Sequence, residues 1–299
     1  MRRAHRLRAL AMASPPVLVA AAFIGMPVVS AILFSLGYSG GFNSILAEIG
    51  QHEHLVTGAG GTLDAYRDVF GETEFRQSLW ATVSVTVGST AVVLALSWGI
   101  ALYLRLAGGR IGRMLAGLAV VPMFIPVVIA SYAILEFYSP NGFLRSLAAA
   151  LGWGNAPVYS YTMVGVALGQ IWVNLPFGVL MMTSGLNAVP DRLLEAARDA
   201  GAGPARTVRS VLMPMAAVPT TIVATFTAIG VIGSYTVPYL VGPSAPNMLG
   251  PLMTYTFESF NQPQQAEVMA VVIFLISALI GAFYVRANLR GSGKAGKAR

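Results

Sequence analysis

The sequence contains few charged residues and no cysteine. Charged residues make up 10% of the 299 positions, and hydrophobic residues make up 56%. Soluble domains carry about 25% charged residues, so this chain lacks the polar groups that a water-exposed surface needs. The lack of cysteine excludes disulfides and thiolate metal ligands. Together these absences indicate a chain that lies mostly in lipid.

Six continuous apolar stretches are long enough to cross a bilayer. A spanning helix needs about 20 apolar residues, because each residue adds about 1.5 Å across a hydrocarbon core of about 30 Å. The stretches hold no Lys or Arg in their central parts, and their apolar residues do not alternate as those of a β-barrel would. We therefore predict an all-α, polytopic membrane protein with six transmembrane helices. The predicted spans are residues 13–36, 79–104, 114–136, 161–184, 214–240 and 266–286.

The basic residues predict the orientation of these spans. Sixteen of the 19 Lys and Arg fall in tails and loops on one side of the membrane, and such an excess marks the cytoplasmic side. We therefore predict that both termini lie inside. The first stretch follows four arginines, but its apolar run, Val17–Leu36, is longer than the roughly 7–15 residues of a signal peptide. We interpret it as an uncleaved span.

The predicted spans divide the chain into five parts. In chain order these are a cytoplasmic tail (1–12), a first transmembrane helix (13–36), an outer loop (37–78), a five-helix core (79–286) that contains a cytoplasmic loop (185–213), and a basic cytoplasmic tail (287–299). The net charge of +7 could suggest nucleic acid in a soluble protein. In a membrane protein its distribution reports orientation instead, so we expect lipid and no nucleic acid as a partner.

The cytoplasmic loop 185–213 has a helix, break, helix pattern. Pro190-Asp191 favours the start of a helix, with Pro190 at the first helical position. Gly201 can adopt the left-handed conformation that ends a helix. Gly203-Pro204 then restarts the chain, and Pro214 marks entry into the fifth span. The predicted short helix, with alanines on one side, offers a surface for another protein.

This loop resembles the EAA signature of the permease subunits of binding-protein-dependent ABC importers. The signature reads E-A-A, three residues, G, nine residues, then I-x-L-P. The matching positions are Glu195, Ala196, Ala197, Gly201, Val211, Met213 and Pro214. Val replaces Ile and Met replaces Leu, both apolar changes. The loop precedes the last two spans, as in the family, and the resemblance covers about residues 75–286. We call residues 185–213 the EAA loop.

The resemblance implies a type I importer permease in the bacterial inner membrane. In that family the EAA loop docks on a cytoplasmic ABC ATPase dimer, and an extracytoplasmic binding protein delivers the substrate. The resemblance also implies a second permease subunit, either a related chain or an identical copy. Glu195 would pair with a basic residue of the ATPase, and Gly201 would let the backbone turn against it. The alternative is a solvated connecting helix without a partner.

A division of labour follows from this resemblance. ATP and magnesium would bind to the partner ATPase, so we expect no cofactor on this chain, no catalytic residue and no metal site. The run His52-Glu53-His54 could suggest a metal, but three adjacent residues of one extended segment cannot converge on an ion. The run Gly291–Ala295 resembles a phosphate-binding loop only faintly and lacks its hydroxyl residue. We interpret both as solvated segments, the second as a flexible tail.

Polar residues within the spans are candidates for the transport path, because polar groups are costly in lipid and face the bundle interior. Gln170 and Asn174 lie four residues apart on one face of the fourth span, and Ser234 and Tyr235 lie in the fifth. Hydrogen bonds between helices are the alternative explanation.

Glycine and proline residues within the spans are interpreted as packing features, with a hinge as the alternative. Gly165 and Gly169 form a G-x-x-x-G step, which permits close helix packing. Pro122, Pro126 and Pro176 each remove a backbone hydrogen bond within a span.

Two other classes of function are considered. An ion-coupled secondary transporter would favour intramembrane carboxylates, and a membrane enzyme would need clustered nucleophiles or metal ligands. The sequence has neither at the centre of its spans. The stretch Gly233–Gly242, with Leu249 and Gln265–Glu267, resembles the spermidine/putrescine branch of the importers. That branch implies a polyamine-like or other small charged organic solute, and a sugar permease is the alternative.

Overall fold

The computed structural model describes residues 12, 14–51, 53–56, 60–154 and 156–295. Apart from one isolated bridge between Tyr38 and Val56, regular structure in these residues is helical, which confirms the predicted all-α class. The helices are α1 Ser14–Ser35, α2 Ser44–Ile49, α3 Asp64–Gly71, α4 Thr73–Leu106, α5 Gly109–Val120, α6 Val127–Phe137, α7 Phe143–Ala150, α8 Met163–Asn187, α9 Asp191–Asp199, α10 Pro204–Met215, α11 Ala217–Ile232, α12 Thr236–Val241, α13 Leu249–Glu258 and α14 Pro263–Ala295.

Four of these helices can cross a membrane without a break, namely α1, α4, α8 and α14 as far as Asn288. Two further pairs reach the necessary length only together. Helix α5 with its 3₁₀ extension to Phe124 meets α6 at an angle of 111°, and α10 meets α11 at 68°. Pro122 and Pro126 lie at the first bend, where a missing N–H prevents a continuous helix. The third and fifth predicted spans are therefore bent.

Contacts at both ends of α8 show that α5 and α6 together form one span. Arg105, just before α5, contacts Val189 just after α8, with Nη2 2.8 Å from the carbonyl oxygen. At the opposite end the backbone N–H of Tyr159, just before α8, donates to the oxygen of Tyr138, just after α6, at 3.2 Å. The bent pair thus covers the length of α8, about 37 Å at 1.5 Å per residue.

The segment from α10 to α12 crosses in the same way. Leu212 of α10 packs in a buried cluster with Leu186, near the last residue of α8. Val237 of α12 packs with Val166, near the first residue of α8. The part of the chain that the structure describes therefore contains six spans. In chain order these are α1, α4, the bent pair α5 and α6, α8, the segment from α10 to α12, and α14.

The chain divides into two compact units, residues 1–76 with 252–274 and residues 77–251 with 275–299. Gln264 is the central polar residue of the first unit and is fully buried. Its Nε2 donates to the carbonyl oxygens of Phe34 and His54 at 3.4 and 3.3 Å, and its Oε1 accepts from the backbone N–H of His54 at 2.7 Å. Gln264 therefore connects the last turn of α1, the 37–78 loop and the first turn of α14.

Glycines allow close packing on α8 in the second unit. A Cβ placed on Gly169 would lie 2.6 Å from Cγ1 of Val237, and one on Gly178 would collide with the hydroxyl of Ser97. Real Cβ atoms do not approach other atoms this closely, so only glycine lets α12 and α4 lie where they do. The close helix contact predicted from the G-x-x-x-G step is confirmed at Gly169.

The first part of the predicted flexible tail is helical. Helix α14 continues through Gly291–Ala295, whereas residues 296–299 lie outside the described residues.

Candidate coupling loop and polar break

Helix α9 of the EAA loop is short and has a well-formed end. It begins at Asp191, one residue later than predicted, because Pro190 has ψ 135° and precedes the first helical residue. At its end the N–H of Gly201 donates to the oxygen of Arg198 at 2.8 Å, and the N–H of Ala202 donates to that of Ala197 at 2.9 Å. This pair of bonds is the Schellman motif. Gly201 has φ +74°, the left-handed conformation expected from the sequence.

One leucine holds α9 against the bundle and leaves the signature residues outward. Leu194 is 6% exposed and packs in the cluster that includes Leu186 and Leu212. Glu195 and Ala196 are exposed, and Ala197 is half-buried. Glu195 forms no hydrogen bond or ion pair with any described residue. A charged, unpaired side chain beside small residues is suited to contact with another protein.

The second half of the EAA loop leads into the fifth span. Pro204 is the first residue of α10, as expected after Gly203. Pro214 is exposed and lies in the last turn of α10, two residues before Ala216, where φ −90° and ψ 10° interrupt the helix. The predicted role of Pro214 at the entry to the span thus corresponds to a bend, because α11 begins only at Ala217.

Arg105, whose charge in the sequence indicates only the orientation of the spans, contacts this loop directly. Nη2 of Arg105 lies 2.5 Å from Oδ1 of Asp191 and donates to the oxygen of Val189. The Arg105 side chain is 16% exposed and that of Asp191 is 76% exposed. No sequence signal indicates this contact, since 86 residues separate the two side chains.

The two candidate path residues of α8 lie inside the bundle. Gln170 is 1% exposed, and its Nε2 has no hydrogen-bond partner among the described residues. Asn174 donates to the Gln170 carbonyl oxygen at 2.8 Å, and its Oδ1 would lie 3.3 Å from a Cβ on Gly230. Asn174 therefore faces α11 one turn before Ser234. Thr227 of α11 also has a fully buried hydroxyl without a hydrogen-bond partner among the described residues, and it was not among the predicted path residues.

The other two candidates lie where the fifth span breaks. Helix α11 ends at Ile232 and α12 starts at Thr236, so Ser234 and Tyr235 lie between them. The ring of Tyr235 stacks on that of Tyr239, with centroids 5.0 Å apart and an interplanar angle of 22°. Non-helical backbone at membrane depth is tolerated only where protein or a water-filled cavity surrounds it. We therefore expect protein or water, and not lipid, to surround this break.

Two glutamates line a cavity in the first unit. Glu258 near the end of α13 and Glu267 near the start of α14 border a cavity of about 260 Å³, together with Met253, Thr254 and Phe257.

Several of the described charged residues of the 37–78 loop pair with one another or are partly buried. Within the described residues no group of three His, Asp or Glu could hold an ion, and His52 lies outside them. Nε2 of His54 lies 2.6 Å from Oδ2 of Asp68. Burial raises the pKa of Glu53, and the hydroxyl of Thr62, which donates to the carboxylate at 2.6 Å, lowers the pKa of Asp64.

Comparisons with known proteins define the class of this chain. It matches the family described as the binding-protein-dependent transport system inner membrane component over residues 74–289. It is 25% identical over 229 residues to the spermidine/putrescine transport system permease protein PotB of Haemophilus influenzae, which covers 76% of this chain and 79% of PotB. It is also 25% identical over 231 residues to the sulfoquinovosyl glycerol transport system permease protein SmoG of Agrobacterium fabrum, which covers 74% of each chain.

A solved structure shares the fold. The chain resembles a subunit of a bacterial ABC transporter involved in the import of the acidic polysaccharide alginate, with a TM-score of 0.76 and 13% identity. The match covers 97% of this chain and 99% of that one. The chain thus has the same fold, an all-helical bundle with a broken span and an exposed EAA loop, and its family match identifies it as a multi-pass protein of the inner membrane. The chain belongs to the binding-protein-dependent transport family and is a permease subunit of an ABC importer.

Proposed function

We propose that the chain passes a small polar solute across the inner membrane, driven by ATP that a separate ABC ATPase dimer hydrolyses. The observation that carries this proposal is the EAA loop, because α9 is held by Leu194 on one side and presents an unpaired Glu195 on the other. A second permease subunit, a related chain or an identical copy, would complete the path. An extracytoplasmic binding protein would deliver the solute, and ATP with magnesium would bind only to the ATPase.

The coupling role is assigned to Glu195, Ala196, Ala197, Gly201 and Pro214. The alanines permit close approach of a partner surface, and Glu195 supplies one charge for pairing. A Cβ on Gly201 would meet no atom within 4 Å, so the space beside it is open to a partner. Pro214 lies at the bend that connects α10 to α11, and movement of the loop would change the angle of this bend.

The path is assigned to Gln170, Asn174, Ser234 and Tyr235. Gln170 has a buried amide without a partner, and Asn174 faces α11 one turn before the break at Ser234 and Tyr235. Buried polar groups without partners are costly unless water or a polar ligand reaches them. A polar solute that passes the break would supply those partners.

We propose a polyamine-like or other small charged organic solute, with a sugar as the alternative. Similarity to PotB over 76% of the chain supports the first, and similarity to SmoG over 74% supports the second. Cation–π attraction to the stacked Tyr235 and Tyr239 rings would favour an amine. The two carboxylates that line the Glu258 cavity would also favour an organic cation.

Competition for uptake tests this choice. Proteoliposomes would contain the chain with its ATPase, its second permease and its binding protein. We expect ATP-dependent uptake of labelled putrescine or spermidine that excess spermidine reduces at least tenfold and excess trehalose leaves unchanged. Competition by trehalose alone would select the sugar alternative. Uptake without ATP or without the ATPase would contradict the coupling proposal.

We also propose that both termini and the EAA loop lie in the cytoplasm. The chain has no cysteine, so single cysteines can report sidedness without background. Ser146 in α7 and Ser210 in α10 are both exposed and lie at opposite ends of α8. In intact spheroplasts a membrane-impermeant maleimide is expected to label the Ser146→Cys variant, and to label Ser210→Cys only after permeabilisation. The reverse pattern would invert the orientation.

A further inference from the structure

Helix α9 and the residues that enter it contact the spans in two ways, and these differ in kind. Leu194 packs by apolar contact in the cluster with Leu186 and Leu212. Such contact is non-directional and permits a helix to rotate about it. Arg105 instead makes two directed hydrogen bonds, to the carbonyl oxygen of Val189 and to the carboxylate of Asp191. We call these three residues the Arg105 bridge.

The bridge acts on the part of the loop where α9 begins. Asp191 and Leu194 are three residues apart, about 4.5 Å along the helix axis. Two attachments at this separation restrict rotation that one attachment would allow. The bond to the oxygen of Val189 also holds the backbone that enters α9. Val189 itself is 3% exposed and belongs to the same cluster as Leu194.

The arginine side of the bridge belongs to a packed helix end. Arg105 is the penultimate residue of α4, and its side chain is 16% exposed. Ala101, one turn earlier, belongs to the buried cluster, and Leu102 and Leu106 pack against it. The guanidinium therefore extends from a packed helix end. The planar guanidinium with fixed donors suits such a joint better than a flexible ammonium would.

We propose that Arg105 is a positioning residue that makes α9 and the adjacent end of α4 move as one body. The inference rests on the proposed docking of the ATPase on α9. Force applied at Glu195 would then reach α4 through Asp191 and Arg105. It would also reach α11 through the covalent chain. Without the bridge, α9 would rotate about Leu194 and the second span would not follow it.

Hydrogen exchange and coupled transport together test the bridge. In nanodiscs, the Arg105→Ala variant is expected to exchange the backbone amides of residues 191–200 at least tenfold faster than wild type, with α6 and α8 unchanged. In the assembled transporter it is expected to keep basal ATP hydrolysis within about twofold and to lose at least tenfold in solute taken up per ATP. Arg105→Lys, which keeps the charge, is expected to recover part of that loss.

Two further variants serve as controls. Arg67→Ala removes an ion pair with Asp64 in which the Arg67 side chain is 79% exposed and that of Asp64 is 49% exposed. This variant should change neither hydrogen exchange nor uptake per ATP. Arg105→Asp combined with Asp191→Arg reverses the charges and should restore uptake above that of either single variant.

The outcomes distinguish failure of the Arg105 bridge from failure of the proposed function. Unchanged exchange in Arg105→Ala overturns the bridge, and so does faster exchange with wild-type uptake per ATP, because the contact would then be structural only. Wild-type protein that takes up solute without ATP overturns the proposed function and the bridge with it, and this failure is recognised because it already occurs in the wild type.

Discussion

Replacement of Glu195 by alanine is expected to reduce ATP-driven uptake by about 30-fold or more while the bundle stays folded. Truncation of one partner of a hydrogen-bonded charge pair in an interface costs about 2–5 kcal/mol, and about 1.4 kcal/mol corresponds to a tenfold change. Glu195 is exposed and has no partner in the described chain, so the free energy of unfolding should change by no more than about 0.5 kcal/mol. Uptake into proteoliposomes and thermal unfolding of the same preparation measure the two effects.

A matched control and a second variant make this result specific. Glu48→Ala removes another exposed carboxylate, in α2 and outside the signature, and should leave uptake unchanged. At Gly201 the backbone has φ +74°, which valine adopts poorly and asparagine tolerates. Gly201→Val should therefore lose uptake and Gly201→Asn should retain more of it. Wild-type uptake by both Glu195→Ala and Gly201→Val would refute the coupling role of the loop.

Replacement of Gly169 by alanine is expected to destabilise the contact between α8 and α12. The added Cβ would lie 2.6 Å from Cγ1 of Val237, so one of the two helices must shift. Overpacking of this kind costs about 1–3 kcal/mol, against a gain of up to about 1 kcal/mol from the helix preference of alanine. We expect a lower melting temperature and, because α12 follows the break at Ser234 and Tyr235, weaker uptake.

A double-mutant cycle separates this contact from general effects of the substitution. Val237→Ala removes the colliding methyl group, so the Gly169→Ala/Val237→Ala double variant should be more stable than the sum of the single changes predicts. Gly117 of α5 has no atom within 4 Å of an added Cβ, and Gly117→Ala should keep or raise the melting temperature. Additive losses in the cycle would show that Gly169 and Val237 are not in close contact.

The bend in the third span shows that the hydrophobicity of a sequence predicts a crossing but not its shape. Continuous hydrophobicity predicted a crossing over residues 114–136, and a crossing is present. The sequence also contains Pro122 and Pro126, each of which removes a backbone hydrogen bond within the span. The angle of 111° depends on which neighbours α5 and α6 pack against, because several directions of the chain after a proline are equally allowed locally.

The EAA loop was predicted most closely, because its signals are local. The left-handed conformation of Gly201 and the restart at Pro204 depend on the conformational preferences of single residues and their immediate neighbours. The buried amide of Gln170 could be placed on a helix face but not shown to lack a partner. Whether a polar group is satisfied depends on atoms from other helices.

The sequence by itself determined that this chain is helical, lies in a membrane and carries a signature loop, because hydrophobicity, periodicity and turn preferences act over short distances along the chain. Only the tertiary structure decided that Arg105 reaches Asp191, that Gly169 receives Val237 and that Asn174 faces Gly230. These contacts join residues between 56 and 86 positions apart, and no local preference relates such positions. They arise from the packing of whole helices, which sets the distances between side chains that the sequence keeps apart.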